Sequence, residues 1–418
     1  MINKLLDELY QSKTFLRFTL LKIFGQLISF SIPLMIAKIF SPEKFGSYSL
    51  IMLILFFFTS VFIFSFQTPF IAFAIEEYQN SSKINKTFSI QLFFFVVSII
   101  LFLISIFNFK SYIINFSNIS DKQLIYFFLA YLGIGLNSFV ENLFLALNRR
   151  ICSSLYYSIY GIFNLVLFAY YYDNLDLNMI LSIYFISSVL STTIFITKIQ
   201  INKLFPLIID KKLFFEMLHW SKWQIMGSTA IFFINWGDNI ILRYFVSIEK
   251  IGYYNLGYQI FKGLISLTYI ISSYFMPFIS ININNKQKIY DYLFIKRIKI
   301  VFLGISILSF IFITIPYFLS LIFGNIYEES IVIIRILLVG NLFFLFQIFY
   351  APIVYGHKDY KFIAFVNIVQ MCINLIADVV LIYSFGIMGA AFATIIGYSI
   401  SFCFFEIYIR KNIKVKIL

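Results

Sequence analysis

The sequence predicts an all-α integral membrane protein of about twelve transmembrane helices, built as two six-helix parallel repeats around a central cleft. Three observations predict it. Of its 418 residues, 61% are hydrophobic and only 12% charged, with a mean hydropathy of +0.91, whereas a soluble domain carries about a quarter charged residues. The apolar residues run on without the alternation that a strand of a membrane barrel requires. And the stretch SPEKFGSYSL at 41–50 returns as SIEKIGYYNL at 247–256, identical at six of ten positions.

A bilayer core takes about 20 apolar residues of helix to cross. Runs of that length fall near 14–40, 46–75, 87–109, 122–148, 150–172, 177–201, 215–245, 251–280, 297–323, 328–356, 359–385 and 387–409. Every second joint is short and polar: EEYQNSSKINK, NRR, INKLFPLIIDKK, NINNKQK and YGHKD. None has room for a soluble domain. Cytoplasmic loops are enriched in Lys and Arg. Placing the N-terminus inside puts 23 basic residues at inner ends and loops, against six outside: Lys38, Lys44, Lys110, Lys122, Arg243 and Lys250. Both termini are therefore expected in the cytoplasm. The first residues, MINKLLDELYQSKT, lack a small-residue cleavage site, so no removed signal peptide is expected.

The repeated decapeptide lies between spans one and two and again between spans seven and eight. A second echo, PFI at 69–71 and at 277–279, follows near the ends of spans two and eight. Six is even, so the second half enters the membrane as the first does. The expected halves are 1–206 and 207–418, an arrangement that places a substrate cavity between two rocking halves. Gly46 and Gly252 suit a tight turn into the following helix.

Composition also excludes chemistry. His219 and His357 are far apart, and Cys152, Cys372 and Cys403 sit in apolar runs without ligand spacing. No nucleotide, metalloprotease or hydrolase motif occurs, so no catalytic or metal-binding residues are expected. The net charge of +13 is spread over short loops and forms no basic stripe for nucleic acid.

Charges at bilayer depth are costly and face a cavity or a partner. In span eight Asn255, Gln259, Lys262, Ser266, Tyr269 and Ser273 recur at steps of four and three, one face of a helix. Lys262 stands about 15 Å into that span at 1.5 Å per residue. Span one repeats the pattern with Lys22, Gln26, Ser29 and Pro33, span seven with Ser221, Gln224, Ser228, Asn235 and Asn239, and span eleven with Asn367, Gln370, Asn374 and Asp378. The candidate binding residues are Lys262, Lys22, Lys222, Arg335, Gln259 and Asn255. Asp238, Glu141 and Asp378 either bind a coupling proton or cation or pair with the basic residues, Lys262 with Asp238 most simply. Trp220, Trp223 and Trp236 read as interfacial anchors.

The stretch NWGDNIILRYFVSIEKIGYYNLGYQIF resembles the span seven to eight signature of the polysaccharide-biosynthesis flippases, the O-antigen (Wzx-type) translocases. They belong to the MATE/MOP exporter superfamily, with the MATE drug exporters and the lipid II flippases. The matching positions are Asp238, Arg243, and Gly252 with Tyr254, and AKIFSPEKFGSYSL is a weaker first-half copy. The resemblance implies a non-enzymatic transporter of the bacterial inner membrane. Its cargo would be an undecaprenyl-pyrophosphate-linked glycan, an O-antigen, lipopolysaccharide or capsule precursor. Cationic side chains would hold the pyrophosphate while the lipid tail stays among membrane lipid. No cofactor is implied beyond a coupling proton or monovalent cation. The expected protein partners are the polysaccharide polymerase and chain-length machinery. Two alternatives stay open: a membrane polymerase or ligase, which would need a large outer loop, and a MATE-type small-molecule exporter, which carries cationic drugs.

Overall fold

The computed structural model describes residues 2–357 and 359–413, with side chains described at 17, 18, 20–222, 224–269, 272, 275, 279, 282–357, 359 and 361–411. Lys358 and the basic residues at 414 and 416 lie outside the described residues, as do the side chains of Trp223, Ser273, Pro277 and Phe278.

Every expected span has a helix. Among the described residues eleven are long and apolar enough to cross a membrane: α1 (Leu20–Ile39), α2 (Pro42–Ser81), α3 (Asn85–Asn108), α4 (Asp121–Ala146), α5 (Arg150–Tyr170), α6 (Leu177–Lys198), α7 (Lys211–Phe245), α9 (Lys286–Phe323), α10 (Glu328–Gly356), α11 (Lys361–Phe385) and α12 (Ile387–Lys411). The remaining one, α8 (Ile248–Asn282), carries the polar stripe. Caps at the joints set where helices begin. The Ser247 hydroxyl accepts from the Lys250 amide at 3.4 Å ahead of α8, and Asp176 accepts from the Met179 amide at 2.7 Å ahead of α6. Between α11 and α12 the whole joint is Gly386, whose φ of +58° only glycine adopts without strain.

The burial pattern is that of a protein dissolved in hydrocarbon. Leu321, Tyr383 and Phe302 are 81%, 79% and 72% exposed, while Asn164, Ser187 and Asp378 are wholly buried. Apolar side chains face lipid, and small or polar ones pack the helices together.

Contacts divide the chain into two compact units, Met1–Ile39 with Leu50–Thr229, and Phe40–Ser49 with Ala230–Leu418. In the first, α4 packs on α2, α3 and α6, and α6 packs on α5. In the second, α10 packs on α8, α9 and α12, and α12 packs on α11. Each pairing recurs with its helix numbers raised by six, which is the repeat expressed as packing. The units depart from the sequence halves in two places. The start of α7 packs with the first unit, and residues 40–49 pack with the second.

That second departure explains the decapeptide. Within the second unit its two copies lie on one another. A Cβ on Gly46 would sit 2.1 Å from the Ile248 carbonyl oxygen, and one on Gly252 would sit 1.9 Å from that of Pro42. Pro42 and Ile248 are equivalent positions of the repeat, as are Gly46 and Gly252, so the contact is reciprocal, as across a two-fold axis. Neither glycine has a positive φ. They lie inside the first turns of α2 and α8 and are glycine because another backbone passes where a side chain would be. The turn role expected from sequence is corrected accordingly.

Candidate functional site

In the second unit a polar cluster is built from α7, α8 and α11. Asp238 is 1% exposed on α7 and accepts hydrogen bonds from the Asn239 amide at 2.8 Å, the Asn239 side chain at 3.2 Å and the Tyr254 hydroxyl. Tyr254, Tyr258 and Lys262 follow at steps of four, so α8 presents them on one face; the two phenol rings stack at 5.6 Å. The Lys262 ammonium stands 3.9 Å from the Trp236 ring centroid and 4.5 Å from that of Tyr258. It is within electrostatic reach of Asp238, yet among the described ion pairs none joins them. Two aromatic faces lie against the ammonium, a cation–π geometry.

Asp378 on α11 is wholly buried, and among the described residues neither of its carboxylate oxygens has a hydrogen-bond partner. It too interacts through space with Asp238. One turn away, Asn374 is 4% exposed and its amide nitrogen is unpartnered. A buried carboxyl group with no donor is costly, and a proton or a small cation would satisfy it.

In the first unit the sequence candidates meet as a pair. Lys22 of α1 makes an ion pair with Glu141 of α4, and its ammonium lies 4.3 Å from the Tyr157 ring centroid on α5. The side chains are 36% and 13% exposed respectively.

The other candidates are placed differently. Asn255 is wholly buried, donating to the Asn239 side chain at 2.6 Å and to the Ile251 carbonyl at 3.0 Å, so it joins α7 to α8 and faces no opening. Gln259 is half-buried beside Lys262, and Lys222 is exposed on α7. Arg335 turns to α9, where its Nε donates to the Phe312 carbonyl at 3.3 Å. Pro316 has no N–H to give to that carbonyl four residues back, and Arg335 replaces it. Trp236 is 8% exposed and lies against Lys262, which corrects its reading as an interfacial anchor; Trp220 is 63% exposed. Tyr258 and Tyr157 were not singled out from sequence, and Tyr254 was named only as a signature position. The four-residue steps from Tyr254 to Lys262 were the available signal. Among the described residues no group of His, Cys, Asp and Glu is arranged to hold a metal ion.

Residues 13–283 match the family described as polysaccharide biosynthesis protein. Over 203 residues the chain is 20% identical to the probable low-salt glycan biosynthesis flippase Agl15 of Haloferax volcanii, covering 48% of this chain and 43% of that one. The chain thus matches less than half the length of that relative. Its fold is similar to that of the lipid II flippase MurJ in an inward closed conformation, with a TM-score of 0.79 and 17% identity over 94% of this chain and 87% of that one. It is similarly close to an inward-facing multidrug resistance MATE family transporter of the MOP superfamily, with a TM-score of 0.78 and 13% identity over 93% and 94% of the two chains. The Vibrio cholerae MATE transporter VcmN in its bent form follows at 0.64 and 10% identity, over 96% and 97%. At these identities the structural likenesses establish the fold alone.

Proposed function

The chain belongs to the polysaccharide biosynthesis protein family, and on that premise we propose that it is a flippase for a polyprenyl-pyrophosphate-linked oligosaccharide. The headgroup crosses a bacterial inner membrane by alternating access, the lipid tail remains in the bilayer, and no covalent bond is made or broken. The observation that carries this reading is Lys262, a lysine well inside α8 whose ammonium lies against the Trp236 and Tyr258 rings and makes no described ion pair. Such a group suits a pyrophosphate, with Gln259 one turn away to meet a sugar hydroxyl. Asp238 and Asp378 supply the place for a coupling proton or monovalent cation, since among the described residues the Asp378 carboxylate has no donor. The excess of Lys and Arg in alternate joints supports cytoplasmic termini. Cargo of this class would be handed on to a polysaccharide polymerase and its chain-length machinery.

Cells lacking the protein should accumulate complete lipid-linked repeat units on the inner leaflet. Unpolymerised units on the outer leaflet would instead favour the polymerase reading. A reporter fused after Lys211 should read cytoplasmic and one after Asp173 external; a cytoplasmic signal at Asp173 would overturn the orientation.

A further inference from the structure

The ion pair of the first unit is held by no further donor among the described hydrogen bonds. Glu77, at the end of α2, shows the contrast. Its carboxylate accepts from the Lys86 amide at 3.0 Å, the Thr87 amide at 2.8 Å and the Thr87 hydroxyl. Glu141 differs: among the described hydrogen bonds its only donor is Lys22. The ammonium is also under-used. It has three N–H groups, of which one is given to Glu141 while one side lies against Tyr157. The Lys22 side chain is 36% exposed and that of Glu141 13%, so the lysine is the more open member of the pair.

We propose that Glu141 is a built-in competitor for the cargo's pyrophosphate: it neutralises Lys22 in the empty carrier and yields that ammonium when a lipid pyrophosphate arrives. The inference rests on the flippase reading above and concerns the first unit by itself, where the cation is governed by an internal carboxylate. An empty carrier would then hold no uncompensated cation at this position in the membrane, where such a charge is costly. A pyrophosphate brings more charge and more acceptor oxygens than one carboxylate, so it can win the exchange. The carboxylate, still at hand, then helps to expel it. Gly25, one turn along α1, lets Tyr157 close against that helix, since a Cβ there would stand 2.7 Å from the ring. The tyrosine thereby holds the lysine stem while its ammonium changes partner.

The test measures binding of farnesyl pyrophosphate to the purified full chain in nanodiscs, for the wild type and for Glu141→Gln, Lys22→Gln and the double variant. Glu141→Gln should bind at least about tenfold more tightly, the worth of one charge-assisted hydrogen bond no longer opposed. The double variant should lose that gain. Glu141→Asp, which keeps a carboxylate but withdraws it, should fall between wild type and Glu141→Gln, and it serves if the glutamine variant does not accumulate. Wild-type binding with no gain in either Glu141 variant would overturn the competitor role and leave the flippase reading standing. A gain that persists in the double variant would overturn it too, since Lys22 would not be the group released. No binding by any variant would overturn both.

Discussion

Lys22 and Lys262 are both lysines in membrane-spanning helices, and both rest on aromatic rings, yet they carry charge differently. Lys22 stands 4.3 Å from the Tyr157 ring centroid and is paired with Glu141. Lys262 stands 3.9 Å and 4.5 Å from two ring centroids and has a buried acid nearby, but none of the described ion pairs. The carboxylate of Asp238 is occupied by three hydrogen bonds, from Tyr254 and from both donors of Asn239. The two acids differ in the donors they already hold. Among the described hydrogen bonds Glu141 accepts only from Lys22, whereas Asp238 accepts three, none of them from Lys262.

The largest effect should come from breaking the pair. Lys22→Gln strands a carboxylate that is 13% exposed. Losing one partner of a buried pair costs about 3 kcal/mol at the low end. Abundance in membranes should fall and return with Lys22→Gln plus Glu141→Gln. Full abundance of the single variant would show that the pair carries no stability.

Next is the aromatic support of the unpaired lysine. Trp236→Leu removes one face of a desolvated cation–π contact, about 2 kcal/mol. The ammonium should settle on Asp238, and transport per molecule should fall about thirtyfold, while Trp236→Phe keeps most of it. Equal loss in both variants would mean that Trp236 acts through its volume, not its ring.

A smaller effect concerns Arg335, which the comparison places with neither lysine. Arg335→Leu should lower stability in detergent by about 1 kcal/mol, and Pro316→Ala should remove that penalty by restoring an N–H for the Phe312 carbonyl. A penalty that survives Pro316→Ala would return Arg335 to the cargo candidates.

The smallest lies outside the spans. The Lys86 ammonium, followed by the Leu213 amide, holds the Asp210 carboxyl below its ordinary value of 3.8. A depressed carboxyl stabilises the fold above its unfolded value and loses that contribution as pH falls through the lower, folded one. The joint ahead of α7 should therefore loosen only in acid below about pH 4. Hydrogen exchange at the Ile208 amide, which donates to the Ser89 hydroxyl at 2.9 Å, would report it. Loosening near neutral pH would contradict this.

Much of the fold was legible because hydrocarbon imposes one rule on every span: enough apolar residues to cross, ended by caps and charges. The repeat was legible in ten residues. The reason for its glycines was not, because the backbone that excludes a side chain at Gly46 belongs to Ile248, and no local signal reports a contact that distant. The site's charges were legible as violations of the apolar pattern, but their partners were not. Lys22 and Glu141 are 119 positions apart. The donor that makes up for Pro316 comes from another helix. Trp236 near a helix end looked interfacial until the fold laid Lys262 over it.

The central claim is that Lys262 keeps its charge for a phosphate and not for Asp238. The direct measurement takes Lys262→Gln, Lys262→Arg and Lys262→Gln with Asp238→Asn, and reads protein abundance and surface glycan together. The account predicts that Lys262→Gln accumulates normally but loses about ten- to a hundredfold in transport, the loss of one charge-assisted hydrogen bond of about 1.5–3 kcal/mol. Lys262→Arg should keep part of the activity, since its charge survives without the compact ammonium, and the double variant should recover nothing. Reduced abundance in Lys262→Gln, with both abundance and glycan restored by Asp238→Asn, would contradict the account and make Lys262 the partner of a buried acid.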